Sequence, residues 1–470
     1  MKRELLVITF FITVLVMAFV QKDHRDANSI QERNVRAHME FLAGDALQGR
    51  GSGTEYEHIA AQYIAAQLRQ FGLEPAGDAE TNGKKNFLQT ITLTKRAFAE
   101  APRLRFSANN QTTEWVHGKE IVLAQAATTE FSGSLQKLAA NAPVKPGSFV
   151  LMNVAENTDR QALGQSIGAI VEQKPAAVLV PLVPEWQQFW SRLAVKLPQL
   201  PSYDEPSGSG HSVIFLSAAA AQELQKVSDG TLMQLQGQVG ATEKNYTWNA
   251  VGVLPGSDSK LSREAIVLSA HLDHLGVGRS ASGDSIFNGA DDDASGVVAV
   301  LELARILGAG LKPKRTVYFA LFGSEERGGY GSQHFIKNPP VPLNQMIADL
   351  QFEMIGRPDA KVPANTLWLT GYERSNLGLE LTKHGAALVA DPHPEENFFQ
   401  RSDNYAFAKL GVIAHTVSSY GLHQEYHQAN DDLAHIDFTH MTRAINSMIK
   451  PVQWLVNSNF VPAWVEGMKP

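Results

Sequence analysis

In the stretch from 265 to 323, AIVLSAH (265–271), VVAVLELARIL (297–307) and RTVYFALFG (315–323) follow one another. The first and third are short, almost wholly apolar runs, the pattern of a strand covered on both faces. The middle run is long enough for three helical turns and apolar at helical spacing. GSQHFI (331–336) then starts another helix and MIADLQFEMI (346–355) supplies a third strand. This alternation predicts an α/β fold: a mixed, mainly parallel β-sheet flanked by helices. In such sheets, functional groups gather where strands hand over to loops at their carboxyl ends.

Just ahead of the helix, FNGADDDASG places Asp291, Asp292 and Asp293 side by side, although each repels its neighbours. Aspartate caps a helix and favours the positive end of its dipole, but one or two suffice for that. Other ionisable residues stand at comparable places. His271 and Asp273 follow the first strand, Glu325 and Glu326 follow RTVYFALFG, Glu353 ends the third strand, and Tyr426, His427 and Asp431 lie in a polar loop before the last helix. Singly each is ordinary. Together they form a nitrogen and oxygen ligand set without sulfur, suited to a co-catalytic zinc pair whose metals stand about 3.5–4 Å apart, bridged by a carboxylate and a water or hydroxide. One aspartate of the triplet would bridge the metals while its neighbours cap the helix and order the loop, the cations offsetting their repulsion.

The chain as a whole fits this reading. It has 470 residues, 44% hydrophobic and 19% charged, enough for two or more domains. A net charge of −7 without a large basic block gives no support for a nucleic-acid partner. With no cysteine there is no disulfide, thiolate nucleophile or sulfur-ligated metal. Residues 1–20 pair a basic start with the apolar run LLVITFFITVLVMAFV. They are expected to act as a secretory signal peptide or a retained N-terminal membrane anchor, with the protein exported to a periplasmic or extracellular compartment. The segment 29–77 reads as two helices around LQGRGSGTEY, the second an amphipathic packing helix stopped at Gly72. From 103 to 245 short β-like runs alternate with Pro, Gly and Ser clusters and no charged constellation appears, so this is expected to be an inserted small β-rich domain. Residues 21–102 and 246–470 would then form a discontinuous catalytic domain.

The motifs AHLDH, NGADDDASG, SEERGGYGS, QFEMIGR, RSDNYAFAKLGV and EYHQANDD also resemble, in order and approximate spacing, those of the zinc aminopeptidases of peptidase family M28. The likeness covers roughly 30–77 and 249–460, including the lead-in helices of bacterial members. It implies a zinc-exopeptidase-like sheet, peptide substrates and two Zn2+ per chain, and it equates 103–245 with an insertion that is protease-associated-like in many members. It further implies that His271 and Glu353 complete one metal site, Glu326 and His427 the other, and that Asp292 bridges them. Glu325 would be the general base, Tyr426 would stabilise the oxyanion and Arg401 would hold the substrate's carbonyl or carboxylate side. Asp273 would orient His271 from behind, and Asp431 would do likewise near His427. Two positions depart from the usual pattern: Glu353 stands where many aminopeptidases have Asp, and Asn404 where His is usual. The first bears on how a free amine is held. A carboxypeptidase or another amidohydrolase of the family is therefore the alternative. A glutaminyl-cyclase-like enzyme would need only one zinc, and a non-catalytic receptor-like relative would tend to lose ligands or base that this chain retains.

Overall fold

The computed structural model describes residues 29–470 apart from 140–141, 156–157, 159, 201–210 and 280–282. The expected signal or anchor at 1–20 lies outside the described residues. Among those described, no helix is long and apolar enough to cross a membrane. The chain divides into two compact units, one formed by Met1–Ile91 and Tyr246–Pro470, the other by Thr92–Asn245.

In the first unit the three runs read from the sequence become β2 (Ala265–His271), α3 (Gly296–Ala309) and β3 (Thr316–Phe322), preceded by β1 (Val239–Leu254), which belongs to this unit from Tyr246 onward. They are followed by α4 (Tyr330–Lys337), β4 (Met346–Phe352), β5 (Leu367–Leu369), β6 (Leu388–Ala390), β7 (Ile413–Ser418) and α5 (Phe438–Asn457). The strands lie in the order β6-β5-β7-β4-β2-β3-β1. The central four, β3, β2, β4 and β7, are parallel, whereas β1 runs antiparallel to β3 and β5 antiparallel to β7. Four parallel neighbours present their carboxyl ends at one edge, and His271, Gly323 and Glu353 stand on or just past three of those ends.

The central strands are largely apolar because both faces are covered. One face packs on α3, α5 and the two N-terminal helices α1 (Glu32–Leu42) and α2 (Glu55–Gln70), through Val298, Leu301, Phe319, Leu350, Met441 and Met448. The other face holds Val267, Tyr318, Phe322, Phe335 and Phe407. α3 is buried almost along its whole length, which explains its unbroken apolar sequence. Its one buried charge, Glu302, is paired with Arg305 (Nη2 to Oε2 2.7 Å), as burial of a carboxylate requires.

The second unit has its own sheet and cores. Its strands from Arg103 to Gln236, Gln199–Leu200 excepted, form an eight-stranded sheet in which four consecutive strands are parallel and the others antiparallel. Leu104, Trp115, Phe149, Leu179, Ile214 and Met233 fill one core. Helices at Arg160–Val171, Gln187–Ala194 and Ala218–Lys226 accompany the strands, so the unit is α/β in texture and not β alone.

Candidate metal centre

The aspartate triplet occupies an irregular turn before α3, entered through Gly289 at φ 60°. A Cβ at that glycine would lie 2.2 Å from the carbonyl oxygen of Asp292 and 2.5 Å from the His274 ring, so the turn needs glycine for space as well as for its backbone angle. The three carboxylates do different work. Asp293 caps α3 by accepting from Gly296 N (3.0 Å), and it also accepts from His271 N (3.2 Å) and Met354 N (3.1 Å), tying together the ends of β2, β4 and α3. Asp291 accepts from Gly356 N (2.7 Å) and faces His423 Nε2 at 2.9 Å. Asp292 alone is aimed into the cluster of candidate ligands. Its Oδ1 lies 3.0 Å from His271 Nε2, and its Oδ2 lies 3.2 Å from His427 Nε2.

Each oxygen of Asp292 therefore belongs to a separate group. On one side, His271, Asp292 and Glu353 bring ligand atoms within 4.8 Å of one another. On the other, His427 Nε2 is 3.2 Å from Glu326 Oε1 as well as from Asp292, so Glu326 and His427 converge on the second oxygen. His274, Asp292 and Glu326 also form a close group. His274 is a residue that reading the sequence missed.

The surroundings show how the ligands are held. His271 Nδ1 donates to the backbone carbonyl of Asp273 (3.2 Å), while the Asp273 carboxylate is 3.8 Å away. The expected orienting role of Asp273 is thus carried by its carbonyl. Its carboxylate accepts from Ser52 Oγ and from Glu325 N (2.9 Å), fixing the backbone of the expected base. Asp431 requires a correction: it does not orient His427. Its carboxylate accepts from the backbone nitrogens of Asp291 (2.9 Å) and Asp292 (3.1 Å), so it braces the aspartate turn. Glu353 is steadied by Gln351, whose Nε2 donates to Glu353 Oε2 (3.0 Å) and Ser402 Oγ (2.6 Å) while its Oε1 accepts from Asn404 N (2.6 Å). Asn404 thus acts through its backbone at this site, and its side-chain amide donates to Phe399 O (3.1 Å).

Two residues of the N-terminal segment brace the same loops. The buried guanidinium of Arg50 donates to the carbonyls of Leu42 (2.6 Å), Leu272 (3.0 Å), Asn288 (2.7 Å) and Gly289 (2.9 Å). It links the turn after β2 to the turn before the triplet. Glu57 accepts from Thr247 Oγ1 (2.6 Å), Gly53 N (2.7 Å) and Ser324 N (3.0 Å), and burial together with Asp273 pushes its carboxyl up to about 8. Ser324, Met354 and His427 have φ of 53°, 50° and 56°, left-handed values that cost non-glycine residues roughly 1–3 kcal/mol each. Each is a candidate ligand or stands beside Glu325 or Glu353, so the cluster carries part of the chain's left-handed backbone.

Electrostatically the cluster has an excess of carboxylates. Burial, with Asp403, Glu353 and Glu326 nearby, holds Glu325 well above the usual carboxylate range despite the opposing pull of His271. Burial and the Asp292 charge act to raise Glu326, but His274 and His427 outweigh them and bring it to about 2. Glu326 Oε1 and both ring nitrogens of His274 are buried without a hydrogen-bond partner. Native proteins rarely leave such groups unmet. A donor set of imidazole and carboxylate with unsatisfied buried members fits a divalent ion such as zinc.

The cluster opens into a pocket of about 540 Å³, counting the part open to solvent. Asp292, Glu325, Glu326, Glu353 and His427 form its acidic end, and Met354, Trp368, Phe398 and Tyr420 line an apolar part. Tyr426 and Arg401 also face it. The Tyr426 ring stacks on His427 with centroids 3.9 Å apart, and Arg401 lies over the Phe398 ring at 4.9 Å. The structure thus gathers Asp292, Glu325, Glu326, Glu353, His427, Tyr426 and Arg401 around one opening, with His271, Asp273 and Asp431 behind it.

Residues 249–451 match the model of peptidase family M28. A probable lipoprotein aminopeptidase of Mycobacterium tuberculosis is 27% identical over 329 residues, covering 64% of this chain and 55% of that protein. An aminopeptidase of Pseudomonas aeruginosa is 42% identical over 120 residues, covering 25% of this chain and 20% of that protein. The chain thus spans about half the length, or less, of these curated relatives. An aminopeptidase from Aneurinibacillus sp. strain AM-1 shares the fold, with TM-score 0.53 and 18% identity over 93% of this chain and 97% of that one. Residues 249–451 thus match peptidase family M28, and the fold is that of a solved aminopeptidase.

Proposed function

We propose that this chain is a co-catalytic dizinc exopeptidase, an aminopeptidase that removes the N-terminal residue of peptides. The observation that carries the reading is the division of Asp292, with Oδ1 at 3.0 Å from His271 Nε2 and Oδ2 at 3.2 Å from His427 Nε2. A carboxylate so placed suits a bridge between two cations. His271 and Glu353 would complete one site, Glu326 and His427 the other. Bound zinc would lower the pKa of a bridging water and polarise the scissile carbonyl.

The remaining steps belong to side chains of this protein. Glu325, held by the Asp273 contact to its backbone nitrogen, accepts the proton of the attacking water and delivers it to the leaving amine. Tyr426 lines the pocket and would donate to the oxyanion that forms on the substrate carbonyl. The acidic end of the pocket, Glu353 included, supplies the negative field that a free α-ammonium group seeks. The apolar wall of Met354, Trp368, Phe398 and Tyr420 favours a large apolar residue at the cleaved end.

Arg401 on the same pocket supports the alternative, a carboxypeptidase in which the guanidinium would hold a C-terminal carboxylate. One assay separates the two. Leucine anilide should be hydrolysed while its N-acetylated twin is not, and Glu325→Gln should abolish the activity. If the free amine is ignored and a peptide is trimmed from its carboxyl end, the aminopeptidase reading fails.

A further inference from the structure

His274 has no role in the reading above, yet its ring is fully buried and aimed at the cluster. Nδ1 lies 2.8 Å from Glu326 Oε1 and 3.8 Å from Asp292 Oδ2. The short contact to Glu326 is not a hydrogen bond, because Oε1 lies off the direction in which Nδ1 would donate, and both atoms are left without a hydrogen-bond partner. A buried nitrogen and a buried oxygen brought together without a proton aligned between them are placed as two ligands of one ion are placed.

The distances agree with that picture. Ligands bound to zinc at about 2.0–2.1 Å in tetrahedral geometry stand about 3.3 Å apart. Around the second side of Asp292 the recorded separations are 2.8 Å from His274 to Glu326, 3.2 Å from His427 to Glu326, 3.2 Å from His427 to Asp292 and 3.8 Å from His274 to Asp292. They scatter about the expected value, and the two imidazoles are 5.7 Å apart between ring centroids, so both have room.

The position of His274 is built into the fold. Its backbone nitrogen donates to Arg50 O (3.1 Å), its carbonyl accepts from Ser52 N (3.3 Å), and Gly51 pairs with it in an isolated parallel bridge. Its ring packs directly on Gly289, where any side chain would strike it at 2.5 Å. The N-terminal segment and the glycine turn together fix this ring against the cluster.

We propose that His274 Nδ1 is a fourth protein ligand of the metal held by Asp292, Glu326 and His427. The inference rests on the two-metal reading and makes the two sites unequal. The His274 side would carry four protein ligands beside the bridging water, against three on the side of His271 and Glu353.

The chain has no cysteine, so a single introduced thiolate can be seen without background. The cobalt-loaded full chain is compared with His274→Cys and His274→Leu, alongside zinc affinity measured by competition with a chelator. The His274→Cys protein should gain a thiolate-to-cobalt charge-transfer band, and His274→Leu should bind one of its two zinc ions at least about 100-fold more weakly, beyond the usual effect of an outer-shell partner. Absence of the thiolate band together with unchanged affinity in His274→Leu would overturn the proposal. Should the leucine variant fail to fold, the band in the cysteine variant alone decides. If the unaltered protein binds fewer than two metals, the two-metal reading fails instead, so the two failures are distinguishable.

Discussion

Replacing Arg50 by lysine separates two roles that a buried cation beside a carboxylate cluster could have. The guanidinium donates to four backbone carbonyls, those of Leu42, Leu272, Asn288 and Gly289. It also sits in the field of Asp273, Asp431, Asp293 and Asp292, which act against the desolvation that lowers its proton affinity. Lysine keeps the charge but offers three donors from a single point, and such a point cannot reach carbonyls spread around a planar fork. At least two of the four carbonyls should lose their partner, at about 1–3 kcal/mol for each buried acceptor left unmet, or roughly 2–6 kcal/mol in total. Amide hydrogen exchange of the segments around 271–276 and 288–296 reads this locally. Because each 1.4 kcal/mol is a factor of ten, Arg50→Lys should open these segments about 30-fold more readily or more, with peptides of Thr92–Asn245 unchanged. If exchange changes by less than about fivefold, charge and not the fork of hydrogen bonds is what Arg50 supplies.

Other consequences are equally specific. Glu325→Gln should lower kcat by about 10²–10⁴-fold while leaving metal content unchanged, checked by steady-state kinetics beside elemental analysis. Tyr426→Phe should reduce kcat by roughly 10²-fold with little change in KM, since the phenol acts on charge that forms only in the transition state. His415 is buried in β7, with Nδ1–H donating to Thr370 O (2.7 Å) and Nε2 accepting from Ser375 Oγ (2.7 Å), and burial lowers it to about 4. A depressed folded-state value means stability present above the unfolded value of about 6.5 and lost as pH falls towards 4, by roughly 3 kcal/mol in all. His415→Gln should therefore flatten the acid side of a melting-temperature profile between pH 7 and 4.5, and an unchanged slope would refute the assignment.

The fold was legible where a single pattern sufficed. AIVLSAH, VVAVLELARIL and RTVYFALFG become β2, the body of α3 and β3 because strands covered on both faces and a helix buried on all sides must be apolar along their length. The ligands were legible for a related reason: a parallel sheet collects its functional groups at strand ends, so His271, Glu325, Glu326 and Glu353 stand beside obvious strands. The braces were not legible. Arg50 acts on carbonyls 222, 238 and 239 positions away, and no local pattern announces that pairing. Glu57 looked like one more polar residue at the start of an amphipathic helix, yet it is buried and holds Ser324. Asp431 lies four residues from His427 in the sequence, but its carboxylate is spent on the backbone of the triplet. His274 was passed over as a second histidine in a loop because its burial comes from the bridge to Gly51 and the missing side chain of Gly289, neither visible in HLDH itself.

The most direct test of the account is a crystal structure of the zinc-soaked protein with anomalous data collected on both sides of the zinc edge. Two anomalous peaks about 3.5–4 Å apart, one against each oxygen of Asp292, with His271 and Glu353 on one and Glu326 and His427 on the other, are the predicted result. A single peak, or two that do not share Asp292, would contradict the bridging role from which the proposed chemistry follows.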